Sequence, residues 1–124
     1  MTIMEAISRV DALKFNTYSQ GEKIRWLSEL DGTIKKTVID RHAGANAIVF
    51  AGYDENTDTA TELLVSAPFD TVYLRWLEAQ IDYHNGEYDK FNGAIILYNT
   101  AFEAFANYYR NTHMPLSQGS RFLF

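Results

Sequence analysis

The final third of the chain carries its clearest hydrophobic pattern. Large apolar side chains recur there at steps of three and four residues, which is the spacing of one face of an α-helix. This stripe consists of Tyr88, Phe91, Ile95, Tyr98, Phe102, Phe105 and Tyr109. Residues 69–84, which include Trp76, offer a second face with helical spacing, and Asn85-Gly86 marks a tight corner between the two. We therefore predict a long C-terminal αα-hairpin in which the stripe and Trp76 form the helix core.

Two shorter amphipathic helices are predicted in the first half of the chain. Residues 2–5 and 19–22 each have the Ser/Thr-x-x-Glu pattern of a capping box, in which each side chain bonds the backbone N–H of the other residue. The buried stripe of the second helix consists of Ile24, Leu27, Leu30, Ile34 and Val38. Gly32 lies inside this helix and predicts a kink or a close helix crossing, and Gly44 is a plausible C-terminal stop.

Residues 47–65 interrupt the helical pattern. Two short β-prone runs, at 47–53 and 62–65, flank a polar and acidic segment, and this arrangement is typical of a β-hairpin or of an irregular surface loop. A two-stranded hairpin is marginal in water by itself, so we expect this excursion to lean on the helices or on a neighbouring subunit. Its acidic residues Asp54, Glu55 and Asp58 are candidates for protein interaction.

These patterns define the expected fold class and domain organisation. We predict an all-α, mainly helical bundle with a long C-terminal αα-hairpin and a small β-hairpin or irregular excursion around residues 47–65. One helical domain is expected over residues 1–115, followed by a flexible C-terminal arm at 116–124. The arm ends in Arg121, Phe122, Leu123 and Phe124. Apolar residues on a polar linker favour docking on a partner, or folding back on the chain's own core.

Composition and charge limit the classes of function that the sequence is expected to have. Aromatic residues make up 15% of the 124 residues, a surplus that suits core packing and protein interfaces alike. The net charge of -5 argues against broad binding of duplex DNA, which needs clustered Lys and Arg. The sequence has no cysteine. It also lacks the apolar runs that a signal peptide or a membrane span requires, so we expect neither.

No catalytic pattern stands out. The chain has no Gly-rich phosphate loop, no nucleophile elbow and no pair of histidines at helical spacing, so we expect no enzyme activity, no cofactor and no metal. Glu78, Asp82 and His84 could supply part of a metal site, although acidic residues on a solvated helix face are common. Basic residues within 35–42 could touch phosphate, but the interleaved Asp31 and Asp40 dilute their charge, and a salt-bridged surface is the better interpretation.

Several stretches of the chain together resemble a known protein family. They are residues 22–27, 67–70, 76–83, 85–88, 107–110 and 112–115. On them the chain resembles the head–tail connector proteins, the head-completion or adaptor class of tailed phages and prophages of Gram-positive bacteria. The likeness extends from Met4 to Pro115, with Phe15 in place of the proline that the family has after its first helix. No motif in it is chemically diagnostic.

The resemblance implies a structural virion protein without catalytic residues. Such a subunit forms a ring of about a dozen copies beneath the portal, extends the DNA channel and joins the capsid to the tail. The implied partners are copies of itself, the portal protein, tail-side stopper or tail-terminator proteins, and double-stranded DNA contacted without sequence preference, but no membrane. The implied location is the head–tail interface of the virion, after assembly in the host cytoplasm.

Two other classes of function compete with this interpretation. One is a small helical regulatory or adaptor protein that binds one protein partner as a monomer or dimer. The other is a small metal-dependent enzyme that uses Glu78, Asp82 and His84. The connector class predicts oligomerisation, whereas the enzyme class predicts a stoichiometric metal ion.

Overall fold

The computed structural model describes residues 1–116. Its α-helices are α1 (Ile3–Leu13), α2 (Gln20–Thr37), α3 (Thr71–His84) and α4 (Tyr88–Thr112), and 3₁₀ turns lie at Ile39–Arg41 and Ala45–Ala47. The prediction of an all-α, mainly helical fold is confirmed. Residues 117–124, most of the predicted arm, lie outside the described part of the chain.

Helix α3 is the central element, and it contacts α1, α2 and α4. Tyr73, Leu77 and Ile81 on this helix are almost completely buried. They meet the predicted stripe of α2, all of which is buried, and the apolar face of α1. A single hydrophobic cluster therefore joins the helices, because each amphipathic helix buries its apolar face against its neighbours.

The predicted capping box forms completely at the start of α1 but only in part at the start of α2. At α1 the complete capping box forms: Glu5 N–H donates to Thr2 Oγ1 at 3.1 Å, and Thr2 N–H donates to Glu5 Oε1 at 3.3 Å. At α2 only half of the box forms, with Glu22 N–H donating to Ser19 Oγ at 3.1 Å. The Glu22 carboxylate instead accepts a bond from the Arg25 guanidinium at 3.4 Å.

Gly32 and Gly44 have different structural roles in and after α2. Helix α2 is continuous through Gly32, and the close neighbour there is a side chain of the excursion and not the helix crossing that was predicted. A Cβ at Gly32 would lie 3.5 Å from the ring of Phe50, which packs over this point. Helix α2 ends at Thr37, earlier than predicted, and Gly44 joins the two 3₁₀ turns with a φ of 89° that favours glycine.

The predicted β-hairpin at 47–65 is wrong, and the irregular alternative is found. The described residues contain no β-strand, and the excursion forms one isolated bridge, between Thr2 and Glu62. Its backbone makes turn bonds within the excursion, such as Thr57 N–H to Asp54 O, and it also bonds to the start of α1. Ile3 N–H donates to Thr61 O, and Met4 N–H donates to Thr59 O, both at 3.0 Å. The excursion thereby satisfies N–H groups that have no partner within a helix's first turn.

Helices α3 and α4 form the predicted αα-hairpin, with Gly86 at positive φ in the corner. Trp76 is half-buried; its indole N–H donates to the Trp26 carbonyl of α2 at 2.7 Å, and its ring lies 5.0 Å from that of Tyr98. The indole thus links three helices.

The stripe of α4 is buried to a degree that changes along the helix. Phe105 and Tyr109 are buried, and Phe91, Ile95, Tyr98 and Phe102 are half-buried. Tyr88 is 61% exposed, so its assignment to the helix core is wrong. The reason is that the C-terminal end of α4 is covered by the 3₁₀ turns and residues 64–69 as well as by α3, whereas Tyr88 at the corner meets only other exposed or half-buried rings, such as Tyr83.

Candidate interaction surfaces

The acidic residues predicted to interact with proteins lie at the surface of the excursion. Asp54, Glu55 and Asp58 are all exposed. Asp54 Oδ1 accepts a bond from Asn56 N–H at 2.8 Å, and Asp58 Oδ1 accepts one from Ala60 N–H at 2.9 Å. These bonds form the side-chain turns that Asp commonly makes two residues ahead in the chain. Two of the three carboxylates therefore shape the loop while they remain accessible.

The arm residues Arg121, Phe122, Leu123 and Phe124 lie outside the described residues, but their point of attachment is visible. Ala43 N–H donates to Met114 O at 2.7 Å, and Leu116 N–H donates to Arg41 O at 3.1 Å. Residues 114–116 thus run antiparallel to residues 41–43. The arm leaves the fold from the side of the 3₁₀ turns.

A cavity of about 300 Å³ opens beside this attachment point. It is lined by Ile39, Ile48, Leu64, Ser66, Ala67, Pro68, Phe69, Phe105, Tyr108, Tyr109 and His113. The lining is mainly apolar and aromatic, and the volume is at the lower end of the range of about 300–1,000 Å³ that is usual for ligand pockets. The lining residue Tyr108 is 47% exposed, and Met114, which follows the lining residue His113 in the chain, is also exposed.

Helix α4 carries a second apolar row beside the aromatic stripe. This outer row consists of Gly93, Leu97, Ala101, Ala104 and Tyr108, at steps of three and four residues. Leu97 is 49% exposed and Tyr108 is 47% exposed. The row was missed from the sequence because its small residues are a weak hydrophobic signal beside the aromatic stripe, although its helical spacing was present.

A buried carboxylate joins the excursion to the helices, and sequence reasoning also missed it. Asp31 of α2 is completely buried. It accepts hydrogen bonds from the Tyr73 hydroxyl at 2.6 Å, the Tyr53 hydroxyl at 2.7 Å and Leu64 N–H at 3.1 Å. Burial raises the pKa of the Asp31 carboxyl above its ordinary value of 3.8, although these three donors lower it. Asp31 is therefore a structural anchor and not a surface charge.

The three residues of the proposed metal site do not converge. The buried Asp82 carboxylate pairs with Lys14 at 2.7 Å, and Glu78 pairs with Arg75 at 3.3 Å. His84 Nδ1 lies 2.8 Å from the Gln80 carbonyl. Among residues 1–116, no group of three or more His, Cys, Asp or Glu side chains could hold a metal ion.

The basic residues within 35–42 also fail to form one patch. Lys35 pairs with Asp40. His42 is buried, with Nδ1 2.6 Å from the Val38 carbonyl and its ring 5.2 Å from that of Tyr109. Lys36 and Arg41 are exposed, so two of the four side chains, and not all four, are available to phosphate.

Comparison with known proteins does not assign this chain to a family. Neither a protein-family model, nor a curated protein, nor a solved structure matches this chain. Within the described part of the chain, no helix is both long enough and apolar enough to cross a membrane.

Proposed function

We propose that this protein is a structural virion protein, a head–tail connector subunit that forms a ring beneath the portal of a tailed phage. The ring would extend the DNA channel and join the capsid to the tail. Its partners would be copies of itself, the portal protein and a tail-side stopper or tail-terminator protein. The proposal gives the protein no catalytic role and rests on the sequence resemblance together with the shape of α4.

The observation that carries the proposal is that α4 has a second apolar row whose two largest side chains are covered only in part. The aromatic stripe packs toward α3, whereas Leu97 and Tyr108 of the outer row remain about half exposed. A ring subunit needs two different contact faces, one for each neighbour. Small residues between Leu97 and Tyr108 let another helix approach closely, as in other helix–helix contacts. The outer row therefore supports a second, intersubunit use of the same helix.

The negative net charge of the chain supports a role in which DNA passes the protein without being bound tightly. The net charge is -5, and exposed carboxylates are concentrated at Asp54, Glu55 and Asp58. Carboxylates repel phosphates, so a channel lined by such subunits would let DNA slide instead of retaining it. Contact with double-stranded DNA would be transient and independent of sequence.

Mass photometry and negative-stain microscopy of the purified protein, with and without the portal oligomer encoded near it, test this proposal. We expect closed rings, either alone or on the portal. A protein that remains monomeric or dimeric in both samples would contradict the connector role and favour the regulatory or adaptor class. The matched control is a portal oligomer from an unrelated phage, on which no ring should form.

A further inference from the structure

The cavity beside α4 is left with an uncovered apolar rim. Ile48 and Phe69 in its lining are half-buried, and Tyr108 is 47% exposed. Met114 and Leu116, next to the lining residue His113, are also more than half exposed. Burial of apolar surface is favourable in proportion to the area removed from water. An apolar segment that reached this cavity would therefore be retained there.

The described part of the chain ends beside an element that lines the cavity. Because residues 114–116 run antiparallel to residues 41–43, Met114 lies opposite Ala43 and Leu116 lies opposite Arg41. Arg41 ends the 3₁₀ turn that begins at Ile39, and Ile39 lines the cavity. Eight residues follow Leu116, and they can span up to roughly 27 Å when extended. The cavity is within their reach.

The composition of those eight residues matches the cavity. Ser117-Gln118-Gly119-Ser120 is small and polar, and Phe122-Leu123-Phe124 is apolar and aromatic. We propose that the cavity is the docking site for the aromatic tip of the chain's own arm, with Phe122 or Phe124 against Ile48 and Phe69. The polar linker crosses the rim. A partner that takes the tip must then compete with this internal site, so the arm is held in reserve in the free subunit.

Nuclear Overhauser effects in the full-length protein test the docking directly. We expect cross-peaks between the ring protons of Phe122 or Phe124 and the methyl groups of Ile39, Ile48 and Leu64. Ile48→Asp places a carboxylate in the lining and should abolish them. Val49→Asp is the matched control, because it adds the same charge one residue further on at a side chain that is 85% exposed, and it should retain them. Absence of these cross-peaks in the wild-type protein would overturn the proposal.

A variant in the arm alone avoids any effect on folding of the helices. Phe122→Ser combined with Phe124→Ser should shift the methyl resonances of the cavity lining and leave those of α1 unchanged. Unchanged lining resonances would overturn the proposal.

Isotope-filtered spectra of a mixture of labelled and unlabelled protein then identify the source of the tip. We expect the cross-peaks only within one molecule. If they appear between molecules, the arm docks on a second copy and the internal site is refuted. Ring formation with portal is a separate measurement, so this inference can fail while the connector proposal stands.

Discussion

Asp31 shows how one side chain fixes a segment that lacks regular structure. A fully buried carboxylate is costly unless donors surround it. Here the donors come from separate parts of the chain: Tyr73 from α3, and Tyr53 and Leu64 from the excursion. The Tyr73 hydroxyl also accepts a bond from Val65 N–H at 2.7 Å. The Asp31 carboxylate of α2 therefore holds residues of the excursion at defined positions, although their backbone forms no regular secondary structure.

The pH dependence of stability should reveal this buried carboxyl. Because the pKa of Asp31 is raised in the folded state, its contribution to stability is fully present below the ordinary value of 3.8 and is lost as the pH rises through the folded-state pKa. Asp31→Asn removes this titration. Urea unfolding from pH 3.5 to 7 should therefore show that the stability advantage of wild type over Asp31→Asn shrinks as the pH rises. An advantage that grows with pH would contradict the raised pKa.

The sequence interpretation assigned Asp31 to a salt-bridged surface, although its spacing places it on the buried side of α2. It lies four residues after Leu27 and three before Ile34, both members of the buried stripe. Charged residues are rarely fully buried unless they are paired. The pairing groups are more than 20 residues away in sequence, so the sequence gives no local sign of them. The capping bond of Thr2 was predictable because its partner, Glu5, is only three residues away in the sequence.

The excursion at 47–65 illustrates why β propensity misled at the scale of an element. The β-prone run around Val49 is followed at once by Gly52 at a φ of 93° and then by the turns at Asp54 and Asp58. These turns divide the segment into short pieces. Its backbone groups find partners at the start of α1, so no second strand is needed. The competing interactions were tertiary and could not be predicted from local pattern.

Tyr53→Phe should loosen the excursion without unfolding the helices. It removes one hydroxyl bond to a charged acceptor, which typically contributes about 1.5–3 kcal/mol. Hydrogen exchange should become faster at the amides of residues 54–61 and remain unchanged in α2. Tyr18→Phe is the matched control: it removes a bond of the same length, 2.7 Å, but to the neutral and exposed Asn85. Equal exchange in the two variants would mean that the Asp31 contact does not hold the excursion.

The gradient of burial along α4 predicts a gradient of stability effects. Phe105 is 5% exposed, whereas Tyr88 is 61% exposed. Phe105→Ala should reduce the free energy of unfolding by about 3–5 kcal/mol, as for other buried aromatic residues. Tyr88→Ala should cost less than about 1 kcal/mol. Chemical denaturation of the isolated protein measures both, and similar losses would show that the corner of the hairpin is packed as tightly as the other end.

At the scale of the whole molecule, the sequence predicted the helices and the face that α4 turns toward α3, but not how completely each face is covered. The aromatic stripe of α4 was clear from its period, and its packing toward α3 is found. Its half-buried middle portion depends on how much of α4 the shorter α3 can cover, which follows from element lengths in three dimensions: 25 residues against 14. The outer row is covered only in part: Ala101 packs against the core and Tyr108 stacks on Phe69, whereas Leu97 is 49% exposed.

Leu97→Asp should prevent ring assembly while leaving the fold of the single chain intact. In the subunit Leu97 is 49% exposed on the outer row, so a carboxylate there should change the free energy of unfolding by less than about 1 kcal/mol. In a ring the same charge would be buried against a neighbour without a partner, which is strongly unfavourable. Rings counted by mass photometry should therefore be lost.

Asn99→Asp is the matched control, because it adds the same charge to an exposed position on the opposite side of α4. It should leave both the unfolding free energy and the ring count near wild type. If Leu97→Asp assembles as well as Asn99→Asp does, the outer row is not an intersubunit contact. The exposed side chains at the corner of the hairpin, Tyr83 and Tyr88, would then be the surface on which a second contact face has to be sought.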